Sequence, residues 1–297
     1  MSEDEARRLA DERRQARREG DFARADELRD RIRRLGFEIM DTPSGSRLRA
    51  VATETPVYHR AADVPSALAD HPDSDLSVHW LAEDWPEDVE RGIVSFRRHQ
   101  RGRTVQHVVV DTAGSGRSWP DGTERILVDR RMGWAAARNA GLRRSRGAVI
   151  LVVDGSIEAM GDVFGPLEGA LRDPSVGVTG PFGITSEELH HFHEAAGPDV
   201  DAVEGYLMAF RREILGRDVR FDEKFRFYRT CDIELSFQIK AMGLRATVTP
   251  LPVRKHEHRM WANTPPEERS RLSRKNFYRF LERWRGRTDL LVSPTGE

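Results

Sequence analysis

The sequence predicts an α/β protein, with a mainly parallel central sheet flanked by helices and preceded by an N-terminal helical hairpin. Three observations carry that expectation. Residues 76–81, 105–110, 126–128 and 148–153 form short apolar runs, the pattern of strands buried on both faces. Segments of helical character around 86–99 and 133–144 alternate with them, as in a parallel sheet covered by helices. Residues 3–35, by contrast, are rich in Arg, Glu, Asp and Ala, hold no proline and are broken only by Gly20. A chain of 297 residues, with 38% hydrophobic and 33% charged residues, is long enough for one large domain and an appendage.

Along the chain, Phe22, Ala25, Leu28, Ile32 and Leu35 recur at helical spacing. Two short helices should therefore meet near Gly20 and Asp21, with Asp21 as N-cap and Gly36 as the stop of the second. Residues 37–40 and 47–51 read as a small hairpin around Thr42, Pro43, Ser44 and Gly45. This appendage spans 1–50. A linker with Pro56, Pro65 and Pro72 follows over 51–74, with a short helix expected at 64–68. The main domain, 75–262, opens with the strand at 76–81 and the helix at 86–99. The strand at 105–110 is stopped by Asp111-Thr112-Ala113-Gly114-Ser115-Gly116, and the strand at 148–153 ends at Asp154. In such sheets ligands sit outside the carboxyl ends of the strands, where Asp111 and Asp154 fall. The last segment, 263–297, places Leu272, Phe277, Phe280, Leu281 and Trp284 among many charges. An amphipathic helix over 265–287, packed on the core, is expected there.

A net charge of −1 supplies no global attraction to nucleic acid or to an anionic membrane. Cys231 is the only cysteine, which excludes an intrachain disulfide and a cysteine metal cluster. No stretch approaches the roughly 20 apolar residues that cross a bilayer. The charged amino terminus lacks the apolar segment of a secretory signal. The expected location is the cytoplasm.

The chemistry-bearing pattern begins with Gly133-Trp134-Ala135-Ala136-Ala137-Arg138-Asn139-Ala140-Gly141-Leu142 and continues through the apolar strand to Asp154-Gly155-Ser156. It resembles the inverting family 2 glycosyltransferases, in which a helix bearing Arg-Asn-x-Gly precedes a strand ending in Asp-x-Asp. Val108-Val109-Val110-Asp111 resembles that family's second strand with its nucleoside-contacting aspartate. Val203-Glu204-Gly205-Tyr206-Leu207-Met208 resembles the strand lining the sugar and acceptor pocket. Phe221-Asp222-Glu223, then Cys231-Asp232-Ile233-Glu234-Leu235-Ser236, resembles the segment that carries the catalytic acidic pair.

The resemblance covers roughly 75–262. It implies a GT-A nucleotide-diphospho-sugar transferase fold and inverting transfer of a sugar from a nucleotide-diphosphate sugar to an acceptor hydroxyl. Asp232 is the implied general base. Glu83, Asp111, Gly133, Arg138, Asn139, Asp154 and Gly205 are implied at the nucleotide sugar. Asp154, Ser156 and His256 are implied at a Mg²⁺ or Mn²⁺ ion, with His258 the second choice of histidine. Two positions depart from the pattern: Ser156 stands for the second aspartate of Asp-x-Asp, and Cys231 for the acidic neighbour of Asp232. Glu158 is a candidate to replace the missing metal ligand. Arg254, Lys255 and Arg259 add positive charge suited to phosphate. His190, His191 and His193 with Glu194 have zinc-ligand chemistry, but a polar segment flanking the acceptor cleft is the preferred reading.

Residues 16–26, with Gly20-Asp21-Phe22-Ala23-Arg24-Ala25-Asp26, and Gly36-Phe37-Glu38-Ile39-Met40-Asp41-Thr42-Pro43-Ser44-Gly45 resemble the carboxy-terminal end of cysteinyl-tRNA synthetases. No aminoacylation site accompanies them, so residues 1–50 are a candidate for contact with tRNA or a partner protein, or a stabilising addition. Two alternatives to the enzyme stay open. One is a non-catalytic protein of the same fold that binds nucleotide or a partner. The other is an RNA-associated protein acting through its N-terminal segment.

Overall fold

The computed structural model describes residues 2–35, 37–42, 45–50, 56–112, 114 and 116–292. The helix stop expected at Gly36, the turn residues Pro43 and Ser44, and Ala113 and Ser115 lie outside the described residues. The chain divides into two compact units, Met1–Pro56 and Val57–Glu297.

The first unit is a helical hairpin, α1 (Ser2–Arg18) and α2 (Phe22–Arg34), with a strand hairpin, β1 (Phe37–Thr42) and β2 (Gly45–Ala50). Gly20, at φ +77°, makes the turn, a conformation that costs a glycine little. The Asp21 carboxylate accepts the Arg24 amide at 2.9 Å, as an N-cap does. Leu9, Ala10, Ala16, Ala25, Leu28 and Ile32 form a small core of their own. Phe22 shares their helical spacing, yet it is exposed.

The second unit begins with β3 (Val57–Tyr58), β4 (Ser74–Ala82), α3 (Pro86–Arg98), β5 (Val105–Asp111) and β6 (Thr123–Val128). Next come α4 (Trp134–Leu142), β7 (Gly147–Val153), β8 (Ile157–Ala159), α5 (Phe164–Leu171) and β9 (Val176–Gly180). Short strands follow: β10 (Gly183–Thr185), β11 (His193–Ala195), β12 (Asp199–Val200), β13 (Ala202–Val203) and β14 (Leu207–Arg211). The unit closes with α6 (Cys231–Lys240), β15 (Arg245–Val248), β16 (Val253–Lys255), α7 (Arg259–Asn263) and α8 (Pro266–Trp284).

Nine strands form one sheet in the order β12-β15-β9-β14-β7-β4-β5-β6-β3. It is mixed but mostly parallel. β14 runs antiparallel to both β7 and β9, and β12 antiparallel to β15. Alternate residues of the central strands feed two cores, as a period of two requires. Val108, Val110, Ile150 and Val152 pack with α4, α6 and α8, while Val109, Leu151 and Val153 pack with α3 and α5. Gly147 lets β7 start against β4, because a Cβ there would lie 2.2 Å from the Leu76 backbone.

The expected linker is partly structured. Residues 57–58 extend the sheet edge beside β6, and the helix expected at 64–68 is replaced by a 3₁₀ turn at Ala61–Asp63. Pro65 accounts for the difference, since the residue before a proline is driven out of helical geometry; Val64 sits at ψ 125°. At the other end α8 packs on the core as expected: Phe280 is fully buried and meets the Phe237 ring of α6 edge-on at 5.0 Å.

Two histidines lie inside the sheet. His79 is 2% exposed and His107 1%, and burial depresses both to about 3. They are therefore neutral in the folded protein, whereas the unfolded chain protonates them near 6.5. Between about pH 3 and 6.5 the unfolded state binds more protons, so stability is complete above that window and falls as the pH drops through it. Going from pH 7 to 5 should cost roughly 2 kcal/mol for each histidine. Urea unfolding across that range checks this. His107→Gln, which keeps an acceptor for Trp80 Nε1, should remove about half of the slope.

Candidate active site

The site grows out of the carboxyl ends of β4 and β7. α4 delivers Arg138, which is 3% exposed, to both ends at once. Its Nη1 donates to the His79 and Val153 carbonyls at 3.3 and 3.1 Å. Its guanidinium lies 5.0 Å from the centre of the Trp134 ring. Burial lowers Arg138 to about 10, opposed by the charges of Asp154 and Glu83. The cation is thus set between two carboxylates on neighbouring strand ends.

Those carboxylates differ. Burial drives Asp154 upward, but the His258 contact and two hydrogen bonds from Ser156 outweigh it and hold Asp154 at about 2. Ser156 donates both its amide and its hydroxyl to Asp154 Oδ1, at 2.9 and 2.6 Å. His258 Nε2 faces Asp154 Oδ2 at 3.4 Å. Half-buried Glu83 is pushed up to about 7 by burial, with Arg138 pulling the other way.

A cleft of about 280 Å³ opens beside Asp154, lined also by Trp134, Glu204, Gly205, Tyr206, Tyr228, Arg229, Asp232 and His258. Its far wall comes from Ile184, Phe192 and Glu194 of the β10–β11 region. Asp154 and His258 also line a smaller recess with Glu83, Asp84, Ser156 and Arg259. His258 is held from several sides. Its Nδ1 accepts the Trp261 amide at 3.1 Å, and its ring lies 4.6 Å from that of Tyr228 and 5.9 Å from that of Tyr206.

Asp232 stands in the first turn of α6. It accepts the Gly205 amide at 2.8 Å and the Ile233 amide at 2.9 Å. A Cβ on Gly205 would meet the Asp232 Cβ at 3.3 Å, so glycine permits this approach. Burial raises the Asp232 carboxyl above its ordinary value, and the two amides hold back only part of the rise. Glu204 is raised as well, by burial and then by Asp232.

Several expected site residues are engaged elsewhere. Asp111 is fully buried; its carboxylate accepts from the Gly114 amide at 3.0 Å and from Arg125 Nη2 at 2.8 Å. Asn139 grips the Phe221 backbone, donating to its carbonyl at 2.8 Å and accepting its amide at 3.1 Å. Gly133, at φ +85°, starts α4, whose first amides bond the Arg226 and Phe225 carbonyls. His256 Nε2 pairs with Glu158 at 2.8 Å, so the histidine beside Asp154 is His258. Glu158 is occupied by that pair and by Arg254 at 3.5 Å. His193 and Glu194 are exposed, and among the described residues no three His, Cys, Asp or Glu side chains gather at metal-binding spacing.

Asp154 Oδ2 and His258 Nε2 do offer one carboxylate oxygen and one imidazole nitrogen side by side. Mn²⁺ accepts both donor types, and a hard cation of this kind takes few protein ligands when phosphate oxygens complete its shell. The pair has the donor chemistry that a divalent ion accepts. Arg125, Glu204 and Arg229 received no role from the sequence. No sequence signal marked Arg125, which lies just before the strand expected at 126–128 and meets Asp111 through the parallel register of β5 and β6.

No known protein-family pattern matches the chain. A 41-residue stretch is 51% identical to the cysteine–tRNA ligase of Enterococcus faecalis, covering 14% of this chain and 9% of that protein. Among solved structures, the crystal structure of GalNAc-T7 with UDP, GalNAc and Mn²⁺ superposes with a TM-score of 0.57 at 16% identity. The match covers 73% of this chain and 49% of that one. The chain has a GT-A glycosyltransferase-like fold. A mannosyltransferase of Pyrobaculum calidifontis, solved with GDP-Man and Mn²⁺, matches at 19% identity and a TM-score of 0.45, over 73% of this chain and 72% of its own. The chain spans about half of the first transferase and under a tenth of the synthetase.

Arg138 is the buried cation of this site. Arg138→Met keeps most of the volume but removes the donor to the His79 and Val153 carbonyls and the positive charge near Glu83 and Asp154. It should destabilise the protein by about 3–5 kcal/mol, as read by urea unfolding at pH 7. A change under about 1 kcal/mol would mean that the carboxylates do not need that charge.

Proposed function

We propose that the protein is an inverting glycosyltransferase of family 2 type that moves a hexosyl group from a nucleotide-diphosphate sugar to an acceptor hydroxyl. One observation carries the reading: Asp154 and Asp232, carboxylates with opposite shifts, line the same cleft within a GT-A-like fold. An anionic, hydrogen-bonded aspartate beside a histidine suits the diphosphate end. A second aspartate, raised by burial, suits proton removal.

In this reading Asp154 and His258 hold Mg²⁺ or Mn²⁺, which, when bound, neutralises charge on the departing diphosphate. The chain's own residues do the rest. The Gly205 and Ile233 amides fix the direction of the Asp232 carboxylate, which takes the proton of the attacking acceptor hydroxyl. Burial raises the basicity of that carboxylate, which favours proton transfer near neutral pH. The Ser156 amide and hydroxyl, with His258, keep Asp154 anionic. Tyr206 and Tyr228 pack against the His258 ring, the first edge-to-face and the second tilted. Trp134, Phe192 and Tyr228 give the cleft apolar walls that exclude water from the reacting centre.

Cys231, buried and next to Asp232, favours a second reading in which the fold binds nucleotide without turnover. Its thiol donates to the Phe227 carbonyl at 3.2 Å and burial raises its pKa, so it supplies no carboxylate to assist Asp232.

A thermal-shift panel of UDP, GDP, CDP and dTDP, each with and without Mn²⁺, separates the readings. A nucleotide at about 100 times its Kd should stabilise the wild type by roughly 2.7 kcal/mol, and Asp154→Ala should abolish that shift. Asp232→Asn should keep the shift while losing roughly 10²–10⁴-fold in transfer or sugar-nucleotide hydrolysis. A nucleotide shift with no turnover by the wild type would favour the binding protein. No shift with any nucleotide would overturn the donor site.

A further inference from the structure

The approach to Asp232 is held from outside its own helix. Residues 227–230 have no regular structure and lead into α6. Tyr228, Arg229 and Thr230 in this stretch all line the cleft. Thr230, the residue before α6, sits in the left-handed region at φ +74° and makes no side-chain cap. That conformation is strained for a β-branched residue, and it persists only where the surroundings impose it.

The imposing contact comes from α8. Asn276 is 4% exposed, and its Nδ2 donates to the Phe227 carbonyl at 2.7 Å and to the Arg229 carbonyl at 2.8 Å. The two acceptors are two residues apart and flank Tyr228, so both amide hydrogens of one side chain fix the path of the segment. α8 itself is anchored to α6. Phe280 and Trp284 pack on Phe237, and Arg283 reaches the buried Glu234. Glu234 in turn accepts from Gln238 at 2.5 Å.

We infer that Asn276 is a positioning residue for the transfer proposed above: through the Phe227 and Arg229 carbonyls it sets the turn at Thr230, and with it the aim of Asp232 and Tyr228 into the cleft. The inference rests on that functional reading. Asn276 touches no reacting atom; it acts on the backbone that presents them. α8 is then part of the catalytic apparatus and not only of the core.

The test compares Asn276→Ala with Phe164→Leu, a variant that weakens the core on the other face of the sheet, away from α8 and the segment. Each is assayed for sugar-nucleotide hydrolysis with UDP-glucose, UDP-N-acetylglucosamine and GDP-mannose, and for amide hydrogen exchange of residues 227–233. Asn276→Ala should lower kcat by about 10–100-fold, the effect of misplacing a reacting group by about an ångström. KM for the donor should change little, since donor binding rests on other residues. Exchange across 227–233 should quicken. Phe164→Leu should lower Tm at least as much, yet leave kcat within about twofold and exchange in that stretch unchanged. Equal kcat losses at equal Tm loss, or unchanged exchange in Asn276→Ala, would overturn the inference. If the wild type hydrolyses none of the three donors, the functional reading has failed on these substrates. The exchange comparison then decides by itself whether Asn276 holds the segment.

Discussion

A guanidinium with almost no access to water governs the arrangement of this site. Removing a charge from solvent costs several kcal/mol unless hydrogen bonds and counter-charges replace the lost hydration. Arg138 finds those replacements in the His79 carbonyl within β4 and the Val153 carbonyl at the end of β7, with the charges of Asp154 and Glu83 near it. α4 therefore cannot slide along the sheet without stranding the charge. Trp134, one turn earlier on α4, covers the guanidinium and also walls the cleft, so the residue that seals the charge also shapes the space where chemistry is expected.

Around that fixed point, three carboxylic acids in one neighbourhood acquire different character. Asp154 collects donors and stays anionic, Asp232 is raised by burial, and Glu83 comes to about 7. Intrinsic acidity explains none of this, because the differences come from how many donors reach each carboxylate and how much water is excluded. Environments that push similar groups apart are what acid–base chemistry at one pH requires. One glycine-dependent approach helps: Gly205 brings an amide to Asp232. The cleft is also assembled from distant parts of the chain, from Trp134 to His258, with its Asp232 side braced by α8.

Much of the fold was legible in the residues alone. The central strands announced themselves because burial on both faces demands continuous apolar runs. Asp111 and Asp154 could be placed at strand ends because the runs stop there. The N-terminal helical pair and α8 followed from helical spacing and from apolar residues set among charges. What could not be read was the choice of partner among groups close together in sequence. His256 and His258 are two residues apart, yet one closes on Glu158 and the other on Asp154, since β16 pairs with β8 up to Lys255 and the chain turns away afterwards. Asn139 carries a motif position but bonds a backbone 82 residues later. Arg125 occupies Asp111 from the neighbouring strand. The sequence by itself determined the periodicities, and hence the layers and the strand ends where a site could form. The tertiary structure alone decided which donor meets which acceptor, because a hydrogen bond is settled within about 3 Å and no local pattern encodes a distance between elements.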